Sequence, residues 1–130
     1  MIQRLTKRAQ FLFVRAGVRA SRPTVMVEAR RREPAGAIGL GLTATKKIGG
    51  AVVRNRARRR LREAARKLLP ELGLAGVDYV LVARQQTPSA PWPALLDDVG
   101  NALLRLRADL EAPGGPAKRA KAPAKSTESD

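Results

Sequence analysis

The stretch VRNRARRRLREAARK, Val53 to Lys67, places eight basic residues among the fourteen from Arg54 to Lys67, with one acid, Glu63. Guanidinium groups at this density suit phosphate, because the planar fork donates two hydrogen bonds at once and stays charged. At helical spacing Asn55, Arg58, Arg59, Arg62 and Arg66 fall within an arc of roughly 100°. Val53, Ala57, Leu61, Ala64 and Leu68 form a separate apolar stripe, flanked on its other side by Arg56, Arg60 and Lys67. Like charges three and four residues apart destabilise a helix, so a polyanionic partner explains the run better than a solvated face does. The stripe is largely alanine and would bury little in lipid, which argues against a membrane-surface helix.

Residues for autonomous catalysis are scarce. The chain has no cysteine and no histidine, which removes thiolate chemistry, histidine general bases, disulfides and the commonest zinc sites. Metal-dependent nucleases gather carboxylates around their ions. Here the acids are scattered, apart from Asp97-Asp98, which a helix dipole at the start of the last helix would explain. Formal net charge is +15 over 130 residues. Residues 1–111 hold 22 basic and 9 acidic side chains, so the charge belongs to the part expected to fold. An excess of this size describes partners rather than fold, and nucleic acid is the partner it fits. Duplex DNA read by a helix and RNA recognised through phosphates and exposed bases both remain open at this point.

The elements that must carry this chemistry can be read from periodicity. Residues 5–17 read as a helix closed by Gly17, with Leu5, Ala9, Leu12, Phe13 and Ala16 as its apolar stripe. Arg4, Arg8, Phe11 and Arg15 share another face. Phe11 there either stacks on a base between arginines or turns into the core. The N-terminus is Arg-rich and free of acids up to Glu28, as transit peptides are, but helical periodicity favours a domain-building role. Residues 24–29 and 37–45 read as strands, and in the second Gly39, Gly41 and Thr43 leave one face nearly bare. The KKIGG turn then leads into the basic helix, expected over 53–69 and ending before Pro70. Residues 78–84 suit a central strand. A last helix opens around Pro93, with Leu95, Val99, Ala102, Leu103, Leu106 and Leu110 on its buried side. Residues 112–130 are rich in Pro, Ala and Lys and read as a disordered tail. One domain over 1–111 is therefore expected, and no apolar run reaches the ~20 residues a bilayer span needs.

The run ATKKIGGAVVRNRARRRLREAAR resembles the signature of the protein component of bacterial ribonuclease P. The matching pieces are Lys46 and Lys47 at a strand end, Gly49 in the turn, and Arg54-Asn55-Arg56 opening a basic helix. Arg58, Arg59 and Arg62 occupy the following basic positions. RLTKRAQF near the N-terminus and DYVLVAR after the helix agree as well, so the likeness covers about residues 4–108.

The resemblance implies an α+β fold: a small two-layer sandwich with a central mixed sheet, an N-terminal helix, a basic crossover helix and a C-terminal helix. It is similar to the second domain of a small-subunit ribosomal protein and has a left-handed βαβ crossover, against the usual rule. It implies the RNA-binding subunit of an endoribonuclease that removes the 5′ leader of precursor tRNA. The catalytic RNA, expected in a 1:1 complex, would carry the chemistry with Mg2+, and the protein would supply no catalytic residue and hold no metal. The compartment implied is the cytoplasm, without DNA or membrane partners. Lys46, Lys47, Arg54, Asn55, Arg56, Arg58, Arg59 and Arg62 would face the catalytic RNA. Phe11, Arg15, Gly39 and Gly41 would line a cleft for the leader. Arg15 departs from the family, many of whose members place a second aromatic there. Tyr79 and Trp92 have no role legible at this level. Charge and fold by themselves would also suit a ribosomal protein or general RNA chaperone, which would not distinguish precursor from mature tRNA. An autonomous nuclease would cleave without an RNA partner.

Overall fold

The computed structural model describes residues 1–112. Its elements run β1 (Ile2–Arg4), α1 (Arg8–Arg15), β2 (Val18–Ser21), β3 (Val25–Arg31), β4 (Ile38–Thr43), a 3-10 turn (Lys46–Ile48), α2 (Ala51–Leu72), β5 (Val77–Ala83) and α3 (Trp92–Glu111). The strands form one mixed sheet in the order β1-β4-β5-β3-β2. β5 is central as its VLV run implies, parallel to β4 and antiparallel to β3. β1 lies parallel to β4 at one edge, and β2 pairs antiparallel with β3 at the other. The α2 crossover thus joins two neighbouring parallel strands.

Alternation along β5 assigns the two faces of the sheet. Tyr79 and Leu81 point into the main core, formed with Ala57, Leu61, Ala64, Ala65 and Leu69 of α2 and the apolar side of α3. Val80 points the other way, into a smaller cluster with Leu5 and Val14, against which Phe11 and Phe13 pack. The expected α+β sandwich with a mixed sheet is present, and α1 covers part of the second face. The six core positions anticipated on α3 are all buried. Among the described residues no helix is long and apolar enough to cross a membrane.

Several local expectations need correction. The first helix is Arg8–Arg15, shorter than residues 5–17: Leu5 still bonds to the Leu40 carbonyl in line with β1, and Ala16 and Gly17 lead into β2. Its inward residue is Val14, while Ala9, Leu12 and Ala16 are exposed. An eight-residue helix seated on a sheet buries a narrower arc than the stripe assumed. α2 does not stop before Pro70, which lies inside its last turn. There the missing N–H removes one bond near an end, while burial of Leu69 and partial burial of Leu72 favour continuing the helix. Asp98 lies beyond the first turn of α3, so the dipole does not explain it. Its carboxylate instead accepts from Thr24 N–H at 3.1 Å and Thr24 Oγ1 at 2.7 Å, tying α3 to the start of β3. The disordered tail expected over 112–130 lies, from 113 onward, outside the described residues.

Candidate RNA interface

α2 presents its arginines on three different surroundings. Arg58, Arg62 and Arg66, spaced four apart, stand about 6 Å from one another along the axis. Together with Ile2, Arg4, Leu5, Phe11, Leu40 and Leu42 they line a groove of about 350 Å³ at the β1–β4 edge of the sheet. Asn55 Oδ1 accepts from Arg58 Nη2 at 2.7 Å, which holds that guanidinium in place. Arg62 and Arg66 have no carboxylate partner among the described residues. One wall of the groove is therefore cationic, and the opposite wall carries an aromatic ring. This arrangement fits single-stranded nucleic acid, whose phosphates and bases need both.

A shallower depression on α2 is lined by Val52, Asn55, Arg56, Arg59 and Arg60. Val52 is 83% exposed there. The predicted arc thus divides: Arg58, Arg62 and Arg66 enter the groove, while Asn55 and Arg59 border the depression with Arg56. Lys46 and Lys47 are exposed in the 3-10 turn just before α2, and the Lys47 carbonyl accepts from Gln85 Nε2 at 2.6 Å. Arg54 is half-buried in the first turn of α2, and its Nε is buried without a hydrogen-bond partner among the described residues. Lys46, Lys47 and Arg54 therefore gather at the positive end of the helix dipole, where anions are favoured.

The third surrounding is structural. Arg60 Nη1 donates to the Thr87 carbonyl at 2.7 Å and Nη2 to the Ala90 carbonyl at 2.6 Å. Its guanidinium stands 5.8 Å from the centre of the Trp92 ring. This assigns Trp92 a role: it packs under the arginine that ties α2 to the β5–α3 loop. Tyr79 is fully buried, and its hydroxyl accepts from Leu74 N–H at 3.0 Å. Burial pushes its pKa up, as expected for a phenol in the core.

The leader-cleft residues do not all come together. Phe11 lines the groove, but the glycine face of β4 is not bare. A Cβ on Gly41 would stand 2.7 Å from the Phe11 ring. A Cβ on Gly39 would overlap the Asp78 carboxylate and press on Leu5. The two glycines admit protein side chains: Gly41 seats the ring that faces the groove, and Gly39 leaves room for Asp78 beside Arg32, with which it pairs. Burial pushes the Asp78 carboxyl up and the neighbouring Arg32 charge opposes this. Arg15 sits at the end of α1, where its carbonyl accepts from Arg19 Nη2 and its charge acts on Glu28 rather than on the groove.

Arg4 and Arg66 belong to the groove yet were not among the expected site residues. Arg66 shares the i, i+4 ladder with Arg58 and Arg62, which was the available signal. Arg4 shares with Phe11 the face that the sequence offered as a base-stacking surface, but it reaches the groove from β1 and not from the helix. Among the described residues no three of His, Cys, Asp and Glu gather to hold a metal ion.

A family model described as Ribonuclease P matches residues 2–107. A ribonuclease P protein component of Caulobacter vibrioides is 49% identical over 113 residues, covering 86% of this chain and 76% of its own length. One from Ruegeria pomeroyi is 49% identical over 107 residues, covering 80% and 86%. The RNase P protein of Staphylococcus aureus superposes with a TM-score of 0.66 at 25% identity, over 77% of this chain and 91% of that one. That of Thermotoga maritima gives 0.68 at 24% identity, over 79% and 96%, and so speaks to the fold. Sequence relatives, family model and fold agree: the chain belongs to the ribonuclease P protein family, the protein components of ribonuclease P.

Proposed function

We propose that this protein docks on the catalytic RNA of ribonuclease P through the N-terminal half of α2 and holds the 5′ leader of precursor tRNA in the groove. Lys46, Lys47, Arg54, Arg56 and Arg59 form the docking surface, and Asn55 both contacts RNA and steadies Arg58. Phe11 stacks on a leader base while Arg4, Arg58, Arg62 and Arg66 meet its phosphates. The observation that carries this reading is one groove walled by an aromatic ring on one side and a ladder of arginines on the other. Hydrolysis belongs to the RNA partner and the magnesium ions it holds, and the protein contributes affinity for precursor over mature tRNA. One protein per catalytic RNA, acting in the cytoplasm, is the assembly this reading implies.

Reconstitution with a bacterial catalytic RNA at low magnesium tests it. Adding the protein should restore cleavage of precursor tRNA, and RNA binding should weaken steeply with salt. Absence of stimulation, or cleavage by the protein without RNA, would overturn the assignment.

A further inference from the structure

The floor of the groove is a strand edge. β1 accompanies β4 only as far as the Arg4–Leu40 register. Leu5 N–H then donates to the Leu40 carbonyl at 2.9 Å, and the chain turns away into α1. Ile38 N–H donates to the Met1 carbonyl at 3.0 Å on the same side. The backbone groups of Ile38 and Leu40 therefore point toward β1. In a parallel ladder every second residue repeats that orientation. Leu42 accordingly turns its N–H and C=O outward at the same edge, where among the described residues no strand lies beside it. An open strand edge is a ready template for pairing.

The walls on either side decide what pairs there. Phe11 rises over Gly41 on one face of the sheet. Arg58 and Arg62 stand on the face into which Leu40 and Leu42 point. A base that hydrogen-bonds to a strand edge lies in the plane of the sheet, so its two faces look toward these two walls. Each nucleobase carries a donor and an acceptor side by side on its Watson–Crick edge, a match for one residue's C=O and N–H. Cations on the groove wall favour a polyanion over a peptide strand.

We propose that the Leu42 backbone N–H and C=O pair with the edge of a single unpaired RNA base, which extends β4 sideways between the Phe11 ring and the Arg58–Arg62 guanidinium groups. The proposal rests on the reading that the groove holds the leader, and it makes Leu42 a positioning residue that acts through its backbone.

The test replaces the Leu42 amide by an ester, which deletes the donor and keeps the side chain, in protein assembled with the catalytic RNA. Precursor tRNA should bind about 3- to 10-fold more weakly, the range one hydrogen bond spans, with mature tRNA unaffected. The loss should vanish when one particular leader nucleotide is abasic. Normal affinity in the ester protein, with Phe11→Ala weakening it, would overturn the edge contact and leave the groove reading standing. If neither change weakens binding, the groove reading falls too. A loss that persists with every abasic leader would also overturn the proposal, since the amide would then meet something other than a base. Should the ester protein not fold, hydrogen exchange in the unmodified holoenzyme decides. The Leu42 amide should gain protection with precursor tRNA and not with mature tRNA; exchange unchanged by precursor, or slowed only by an extended peptide, would count against it.

Discussion

Arg60 and Arg62 lie two residues apart on one helix and have the same side chain, yet they do opposite things. Arg60 faces the β5–α3 loop and spends both terminal nitrogens on the Thr87 and Ala90 carbonyls, with Trp92 against it. Arg62 faces the groove at the sheet edge and has no carboxylate partner among the described residues. Residue type does not separate a cation held within the fold from one left open at a groove. Backbone carbonyls left open by a loop do, because they satisfy the guanidinium within the protein and remove it from the surface available to RNA.

The contrast can be broken by substituting each residue in turn. Arg60→Met keeps much of the stem but leaves two loop carbonyls without their donor, and should cost about 2 kcal/mol. In a domain of this size that lowers the melting temperature by roughly 10 °C. The slope of log affinity against log salt should stay the same. Arg62→Ala should behave in the reverse way, with a melting temperature close to the parent's and a salt slope shallower by about 0.7 to 0.9. Thermal unfolding and a salt titration on both variants check this. If both lose stability equally, or both lose slope equally, the division of the helix is wrong.

How much of this was legible beforehand follows from the same contrast. The α3 stripe and the central place of β5 came through because long periodic segments leave little ambiguity. α2 was legible as a strongly basic helix, since charge density does not depend on tertiary contacts. The separation of Arg60 from Arg62 was not, because it depends on carbonyls of residues 87 and 90, which lie 27 and 30 positions downstream of Arg60. Arg15 lies away from the groove for a related reason: sharing a helical face with Phe11 says nothing about which end of α1 reaches it. Glycines in β4 signalled a close approach correctly, but not that the approaching groups are Phe11 and Asp78 from this chain.

Gly41 sharpens the comparison from the aromatic wall. Gly41→Ala would place a methyl against the Phe11 ring and tilt it from its seat. The overpacking should cost about 1 kcal/mol. It should also lower affinity for precursor tRNA while leaving mature tRNA and the salt slope unchanged, because no cation moves. Parallel binding measurements on the two tRNAs check this. Equal loss for both tRNAs would mean that Phe11 supports the fold rather than the leader.

The smallest effect concerns the end of α1 that turns away from the groove. Glu28 is buried beside Arg19, 3.7 Å from it, with the Arg15 charge near. Burial raises its carboxyl above the ordinary 4.5, and the two arginines only partly offset this. The folded protein therefore holds this proton more tightly than the unfolded chain does. Unfolding releases it, so this group's contribution is fully present below about pH 4.5 and is lost as pH rises through the folded value. Glu28→Gln removes the titration, so the variant should gain on the parent toward neutral pH and lose that advantage on acidification. Asp78 shifts in the same direction but is common to both proteins and cancels in the difference. Melting temperatures of the pair between pH 4 and pH 8 provide the check. A parent that is the more stable protein at neutral pH, by a margin that shrinks in acid, would show that the arginines outweigh burial. The cations at that end of α1 would then hold Glu28 charged, a second case of arginine satisfied within the fold.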